Sequence, residues 1–304
     1  MHPLKNVLNQ TIRPAQAAAE AQRAADQNTI LSIKQLLISG EHRRAAKLAL
    51  SAFRYQPPAE VLEMIEQHPP VEVCNECGEP RRAIFRPNGG TILWSIQECQ
   101  KCKLLALKAQ LSTTLEEKLR QRGLAPKFQR ASISDFPQGI IESILNGRPA
   151  FISGTYGTGK THLEAALLRY YTEQLAIRMN GRGEWEFTPL KDWPLMTSIQ
   201  EVLLRMRESF GANGSGETEG AIIDEVTAPP ILILDDLGVE KNTDWAIQNI
   251  YLIVDRRYRE EARTFFSSNL TLQELSERLG DRIASRIAGM TQVITMTGKD
   301  RRIG

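Results

Sequence analysis

Gly154-Thr155-Tyr156-Gly157-Thr158-Gly159-Lys160-Thr161 is the stretch that decides how this chain is read. It has the form G-x-x-x-x-G-K-T. The preceding run, Ala150-Phe151-Ile152-Ser153, predicts a short buried strand. The following run, His162 to Gln174, predicts a helix with Leu163, Ala166, Leu167 and Tyr170 at helical spacing. Strand, glycine loop and helix in that order form the context in which this pattern binds phosphate. Glycines let the backbone curl until successive N–H groups point at a polyphosphate. The positive end of the helix adds to that attraction. Lys160 reaches the β- and γ-phosphates, and the Thr161 hydroxyl is a ligand for Mg²⁺. The alternative, a glycine-rich turn without a ligand, leaves the flanking strand and helix unexplained.

Composition bounds the rest. At 304 residues there is room for two domains, or for one large domain with appendages. Hydrophobic residues make up 41%, enough for a packed core. The net charge of +2 says little about partners. Met1 to Gln10 lacks the apolar core of a signal peptide, and no apolar run is long enough to span a membrane. A soluble, cytoplasmic protein is expected. In a reducing compartment, four cysteines in two C-x-x-C pairs suggest metal before disulfide.

Residues 1–70 read as a helical region, either a small bundle or a partner-docking module. Pro14 suits a first helical turn, and Ala15 to Ile38 holds few helix breakers. Ile30, Leu31, Ile33 and Leu37 are expected on its apolar face. Ser39-Gly40 is a stop signal. A second helix follows over Glu41 to Phe53, with Ala45, Leu48, Ala49 and Ala52 on one side, and a third over Ala59 to Gln67. Residues 71–105 hold Cys74, Cys77, Cys99 and Cys102. Each pair presents two thiolates to one tetrahedral Zn²⁺. Between the pairs lie two strand-like runs, Ala83 to Phe85 and Thr91 to Trp94, joined at the turn signal Asn88-Gly89-Gly90. Such a hairpin brings the cysteine pairs together, as in a zinc ribbon. With four protein ligands no open position remains, so the zinc is structural rather than catalytic. Residues 71–130 carry 11 Lys/Arg against 6 Asp/Glu, a local basic excess open to nucleic acid, protein or solvent. Residues 106–130 read as a connecting helix, closed by Gly123, and a proline-marked linker.

Residues 131–304 alternate strand and helix, which predicts an α/β fold with a mainly parallel sheet. Ile231-Leu232-Ile233-Leu234-Asp235-Asp236 is an apolar run ending in two acids, the pattern of a buried parallel strand. Ligands bind at the carboxyl end of such strands. Asp235 is placed there to hold Mg²⁺ through water, and Asp236 to polarise an attacking water. Trp245 to Arg259 predicts a helix, Thr264 to Asn269 a strand ending in an amide, Leu272 to Arg278 and Asp281 to Ile287 short helices, and Gln292 to Met296 a last strand.

The ordered set resembles AAA+ ATPases of the DnaC/DnaI/IstB group. It comprises the phosphate loop, Ile231–Gly238 (ILILDDLG), Phe265–Leu270 (FFSSNL) and Arg278–Ile287 (RLGDRIASRI), with Gly123–Phe136 similar to that group's lead-in. The resemblance covers residues 123–304 and implies an AAA+ domain that binds and hydrolyses ATP with Mg²⁺. By this likeness Lys160 and Thr161 match Walker A, Asp235 and Asp236 match Walker B, and Asn269 matches sensor 1. Arg286 matches the arginine finger, with Arg282 as second choice. Arg302, or Arg301 beside it, resembles the sensor 2 end. Asp236 stands where many AAA+ proteins carry the longer Glu, which implies slow hydrolysis. An arginine finger acting in trans implies self-association into a ring or spiral, with turnover dependent on assembly or on DNA.

With the zinc module ahead of it, the resemblance points to a bacterial or phage helicase loader. Such a loader delivers a DnaB-type replicative ring helicase onto single-stranded DNA. Two alternatives remain open here: an IstB-like ATPase assisting a transposase on duplex DNA, and a nucleotide-dependent switch with little turnover. Ile199, Val202, Leu203, Met206 and Phe210 follow helical spacing beside Arg205 and Arg207. That helix is read either as core or as a contact for single-stranded DNA. Gly211 to Gly220 reads as a flexible loop, and Asn180 to Trp193 as an insertion.

Overall fold

The computed structural model describes residues 22–23, 25–53, 57–68, 71–88, 91–96, 98–209, 217–241 and 243–298. The chain divides into two compact units, 1–105 and 106–304.

The first unit carries helix α1 through 25–38, α2 (His42–Ala52) and α3 (Ala59–Gln67). Its core is Ile33, Leu37, Ala45, Ala49, Val61 and Ile65, with Ile30 and Leu48 packed against it. The expected face holds except at two positions. Leu31 is 57% exposed, because it follows Ile30 by about 100° of helical turn and so leaves the 30/33/37 stripe. Ala52 is also exposed. A three-stranded antiparallel sheet follows, β1 (Val71–Val73), β2 (Pro80–Asn88) and β3 (Thr91–Ile96), in that spatial order. Asn88 pairs with Thr91 at the closed end of the β2–β3 hairpin. That leaves a two-residue connection, as expected of the turn signal; Gly89 and Gly90 themselves lie outside the described residues. β1 was not foreseen, since three residues are too few to show alternation.

Helix α4 (Gln100–Gln121) leads into the second unit, where Leu111, Leu115 and Leu119 are buried. Gly123 ends it at φ +98°; a Cβ there would meet Met196 O at 1.8 Å. Met196 N–H donates to Arg122 O at 2.9 Å. The Arg122 guanidinium, itself buried, donates to Pro194 O and Trp193 O.

Five parallel strands follow: β4 (Ala150–Ser153), β7 (Leu195–Ser198), β8 (Ile231–Asp235), β9 (Arg263–Ser268) and β10 (Gln292–Thr295). Their order in the sheet is β10-β4-β9-β8-β7. Side chains alternate between two apolar layers. Ala150, Ile152, Ile231, Ile233 and Phe265 meet α4, α5 (Gln138–Asn146) and α6 (Lys160–Leu175). Phe151, Leu232, Leu234 and Phe266 meet α7 (Ile199–Ser209), α8 (Glu219–Thr227), α9 (Asp244–Arg259), α10 (Leu272–Leu279) and α11 (Asp281–Met290). A sheet covered on both faces requires unbroken apolar strands, which is why Ile231–Leu234 reads as a run rather than an alternation. Each of the Ile, Leu and Phe side chains among them contributes roughly 1.5–3 kcal/mol by leaving water.

The expected insertion is a hairpin, β5 (Ile177–Met179) with β6 (Trp185–Phe187), followed by a 3₁₀ turn at Leu190–Asp192. The Asn180 side-chain oxygen accepts the N–H groups of Arg182 and Glu184 and so holds the tip. On α7, Ile199, Val202, Leu203 and Met206 are core. Arg205 pairs with Glu217 and Glu225, and the Arg207 guanidinium lies 5.0 Å from the Trp245 ring centre. The helix therefore takes the core reading over its described length; Phe210 and most of the following loop lie outside the described residues.

Candidate nucleotide and metal sites

The phosphate loop joins β4 to α6 at the carboxyl end of the sheet. Met296 N–H donates to Ser153 O at 2.7 Å and Gly154 N–H to Ser268 O at 3.3 Å, which fixes the start of the loop to its two neighbouring strands. Gly154 sits at φ +157°, and a Cβ there would lie 2.3 Å from Met296 O. Gly159, at φ +100°, turns the chain into α6. Both positions favour glycine. The Thr158 hydroxyl donates to Thr155 O at 2.9 Å and braces the curl. Lys160 is buried, and its Nζ donates to Gly154 O (2.8 Å), Thr155 O (3.1 Å) and Asn269 Oδ1 (2.6 Å). Thr155 and Tyr156 are exposed side chains of the loop.

β8 and β9 supply the remaining groups. Asp235 Oδ1 accepts the Ser267 hydroxyl at 2.6 Å and stands 3.5 Å from Thr161 Oγ1. Asp236 lies at φ +54°, a region non-glycine residues seldom occupy and one that recurs at functional sites. Its N–H donates to Ser267 Oγ at 3.0 Å, and its Oδ1 accepts from Asn269 Nδ2 at 3.3 Å. Asn269 thus bridges Lys160 and Asp236. Thr161 and Asp235 offer hard oxygen donors side by side, which fits Mg²⁺. Lys160, Thr161, Asp235, Asp236 and Asn269 come together as read from the sequence. A cleft of about 570 Å³ opens on them, lined also by Tyr156, Gly157, Gly159, Lys127, Phe128 and His162.

Four participants escaped the sequence reading. Ser267 holds both acids, yet a serine in a strand carries no signal of its own. His162 and Asp135, 2.8 Å apart, tie α6 to the lead-in segment. Glu164 lies wholly inside, close to Asp235 and Ser267. Burial holds its carboxyl well above the usual carboxylate range, and the charge of Asp235 pushes the same way. An acid between Leu163 and Ala165-Ala166-Leu167 was the available signal.

Arg286 is not brought to the cleft. Its Nε donates to Asp255 Oδ1 at 2.7 Å and its Nη2 to the Tyr251 hydroxyl at 2.9 Å, with the guanidinium 4.8 Å from the Tyr251 ring centre. Arg282 lies exposed one turn earlier. Arg301 and Arg302 fall outside the described residues.

In the first unit, Cys74 and Cys77 flank a turn closed by Gly78 N–H donating to Cys74 O at 2.9 Å. The sulfur atoms of Cys74 and Cys102 are 3.8 Å apart and those of Cys77 and Cys99 3.4 Å; all four lie within 4.8 Å of one another. Zn–S bonds of about 2.3 Å give a tetrahedron with edges of about 3.8 Å, so the donors and their spacing fit one Zn²⁺. The N–H groups of Cys77 and Glu76 pull the Cys74 thiol down to about 7, while the hydrogen bond with Cys77 holds the Cys102 thiol up.

No family model matches the chain. Replicative helicase loader DnaC of Escherichia coli (strain K12) is 25% identical over 158 residues, covering 52% of this chain and 54% of that protein. The chain thus spans about half the length of the DnaC relatives it matches. Replicative helicase loader DnaI of Bacillus subtilis (strain 168) is 25% identical over 256 residues, 76% of each chain. The crystal structure of the DnaC helicase loader aligns at 21% identity with a TM-score of 0.45, over 57% of this chain and 100% of that one. In its motifs, their order and its parallel sheet, the chain is similar to the DnaC and DnaI helicase loaders it matches.

Proposed function

We propose that this chain is an ATP-dependent loader that delivers a DnaB-type replicative ring helicase onto single-stranded DNA. The observation that carries the reading is the DnaI relative: the match takes in 76% of this chain, more than residues 131–304 alone supply, so it extends beyond the ATPase domain. The division of labour follows the sequence boundaries. Residues 1–70 dock the helicase, 71–105 form a zinc-stiffened module, 106–130 connect, and 131–304 bind and hydrolyse ATP.

In the ATPase domain, the loop N–H groups and Lys160 hold the β- and γ-phosphates of ATP. Asp236 and Asn269, joined at 3.3 Å, orient the attacking water. Mg²⁺, held by Thr161 and Asp235, neutralises phosphate charge when bound. Asp236 reaches less far than a glutamate, which favours slow turnover. Arg286 completes the site in trans: on assembly into a ring or spiral it exchanges Asp255 for the phosphates of a neighbouring subunit. Arg302 is the sensor 2 candidate. The chain works in the cytoplasm, and among the described residues no helix is long and apolar enough to cross a membrane.

Mixing with the DnaB-type helicase of the same organism or phage, followed by size-exclusion chromatography, tests the docking. Co-migration is expected. Separate elution with and without ATP, together with preference for duplex over single-stranded DNA, would move the reading to a transposase helper.

A further inference from the structure

The phosphate-holding groups occupy only one side of the 570 Å³ cleft. Another wall comes from the lead-in segment, through Lys127 and Phe128. The volume suits a whole small ligand and exceeds what phosphates alone require. A molecule with its phosphates on the loop can lay an aromatic body against Phe128, sharing the ring with the Lys127 ammonium 5.8 Å from its centre.

That wall is fastened to α6 at two points. His162 Nε2 lies 2.8 Å from Asp135 Oδ2. A carboxylate only accepts, so the imidazole N–H is the donor. Asp135 is held in turn by Ser132 N–H at 2.9 Å within a capping box, and these contacts keep its carboxyl below the usual range. The His162 ring packs edge-on against Phe128, with centroids 6.1 Å apart, and against buried Phe136 at 5.5 Å. Seven residues on, and so on the same face of the helix, Arg169 donates to Gln129 O and pairs with Glu116 at 2.6 Å. His162 directly follows Thr161, so the group that fixes Phe128 is continuous with the phosphate-binding end of the helix.

We propose that His162 is a positioning residue: anchored by Asp135, it sets Phe128 as the platform for the nucleobase and so decides how tightly the cleft holds a nucleoside triphosphate relative to bare polyphosphate. The inference rests on the reading of this cleft as a nucleotide site. Loss of the stacking platform weakens nucleotide binding about tenfold while leaving the phosphate contacts in place.

The test is calorimetric titration of the full chain with Mg-ATP and with Mg-tripolyphosphate. His162→Ala and Phe128→Ala are each expected to weaken ATP about tenfold and tripolyphosphate less than twofold. His162→Gln keeps an N–H donor for Asp135 and is expected to recover most of the loss. Asp135→Asn keeps the side chain but weakens the anchor, and serves where His162→Ala fails to fold. Equal weakening of both ligands, or unchanged ATP affinity, overturns the role of His162. A wild-type chain that binds neither ligand overturns the nucleotide reading itself, a separate result.

Discussion

Glu164 is the residue whose chemistry is least comfortable where it sits. A carboxyl sealed inside the unit beside the charge of Asp235 stays protonated in the folded chain at pH values where the unfolded chain has lost that proton. Its folded-state pKa lies above the unfolded value, so folding stability is greatest in acid and falls as pH rises from about 4.5 upward through the raised folded value. Glu164→Leu is expected to remove that dependence and raise the melting temperature at pH 8. Each 1 kcal/mol recovered is worth about 2–4 °C in a unit of this size. Melting curves at pH 5 and pH 8 check this; a variant that gains nothing at pH 8 contradicts it. At the same scale, Lys160→Ala removes the buried ammonium and is expected to abolish ATP binding in a fluorescence titration. The contrast between the two residues shows what is legible in sequence. Lys160, Thr161 and Asp235 stand out because phosphate chemistry demands those types at those spacings. Ser267, His162 and Glu164 gain meaning only when the sheet brings β8, β9 and α6 together.

At the scale of elements, the cysteine hairpin and the helix carrying Arg286 make separate predictions. The four sulfur atoms already lie near tetrahedral spacing, so one Zn²⁺ per chain is expected by metal analysis. Cys99→Ser should lose it, and strong chelation should lower the melting of the first unit while ATP binding persists. Absence of zinc in protein prepared without chelator contradicts this. On α11, Arg286→Ala is expected to leave ATP affinity intact and reduce assembled turnover about a thousandfold, the scale of an arginine finger. Unchanged turnover at saturating protein contradicts the assignment. β4, β8, β9, β10, α6 and α9 were legible to within a residue or two, because a doubly covered sheet writes apolar runs and α9 writes a clear 3.6 period; α5, β7, α8 and the β5–β6 hairpin went unread, and α11 runs on to Met290, three residues past its expected end. β1 was too short to see. Leu31 was assigned to the wrong face because a run of adjacent apolar residues does not show which of them turns outward. On α7 the apolar stripe favours core over DNA contact in the sequence, and packing agrees for Ile199, Val202, Leu203 and Met206.

At the scale of the molecule, the chain reads as one side of a joint between subunits. Its own fold assembles Lys160, Thr161, Asp235, Asp236 and Asn269, while Arg286 is engaged with Asp255 elsewhere on the same unit. Under the proposed function, turnover would depend on assembly and the chain would serve a helicase. Covalently closed, single-stranded circular DNA tests that purpose most directly, because a closed ring helicase cannot thread onto a circle without an end. The measurement is helicase-catalysed release of an annealed oligonucleotide from such a circle, with and without this chain and ATP. The account predicts release that requires both the chain and ATP, and that is lost with Lys160→Ala. Release that proceeds equally without the chain, or no release with chain and ATP present, would contradict it.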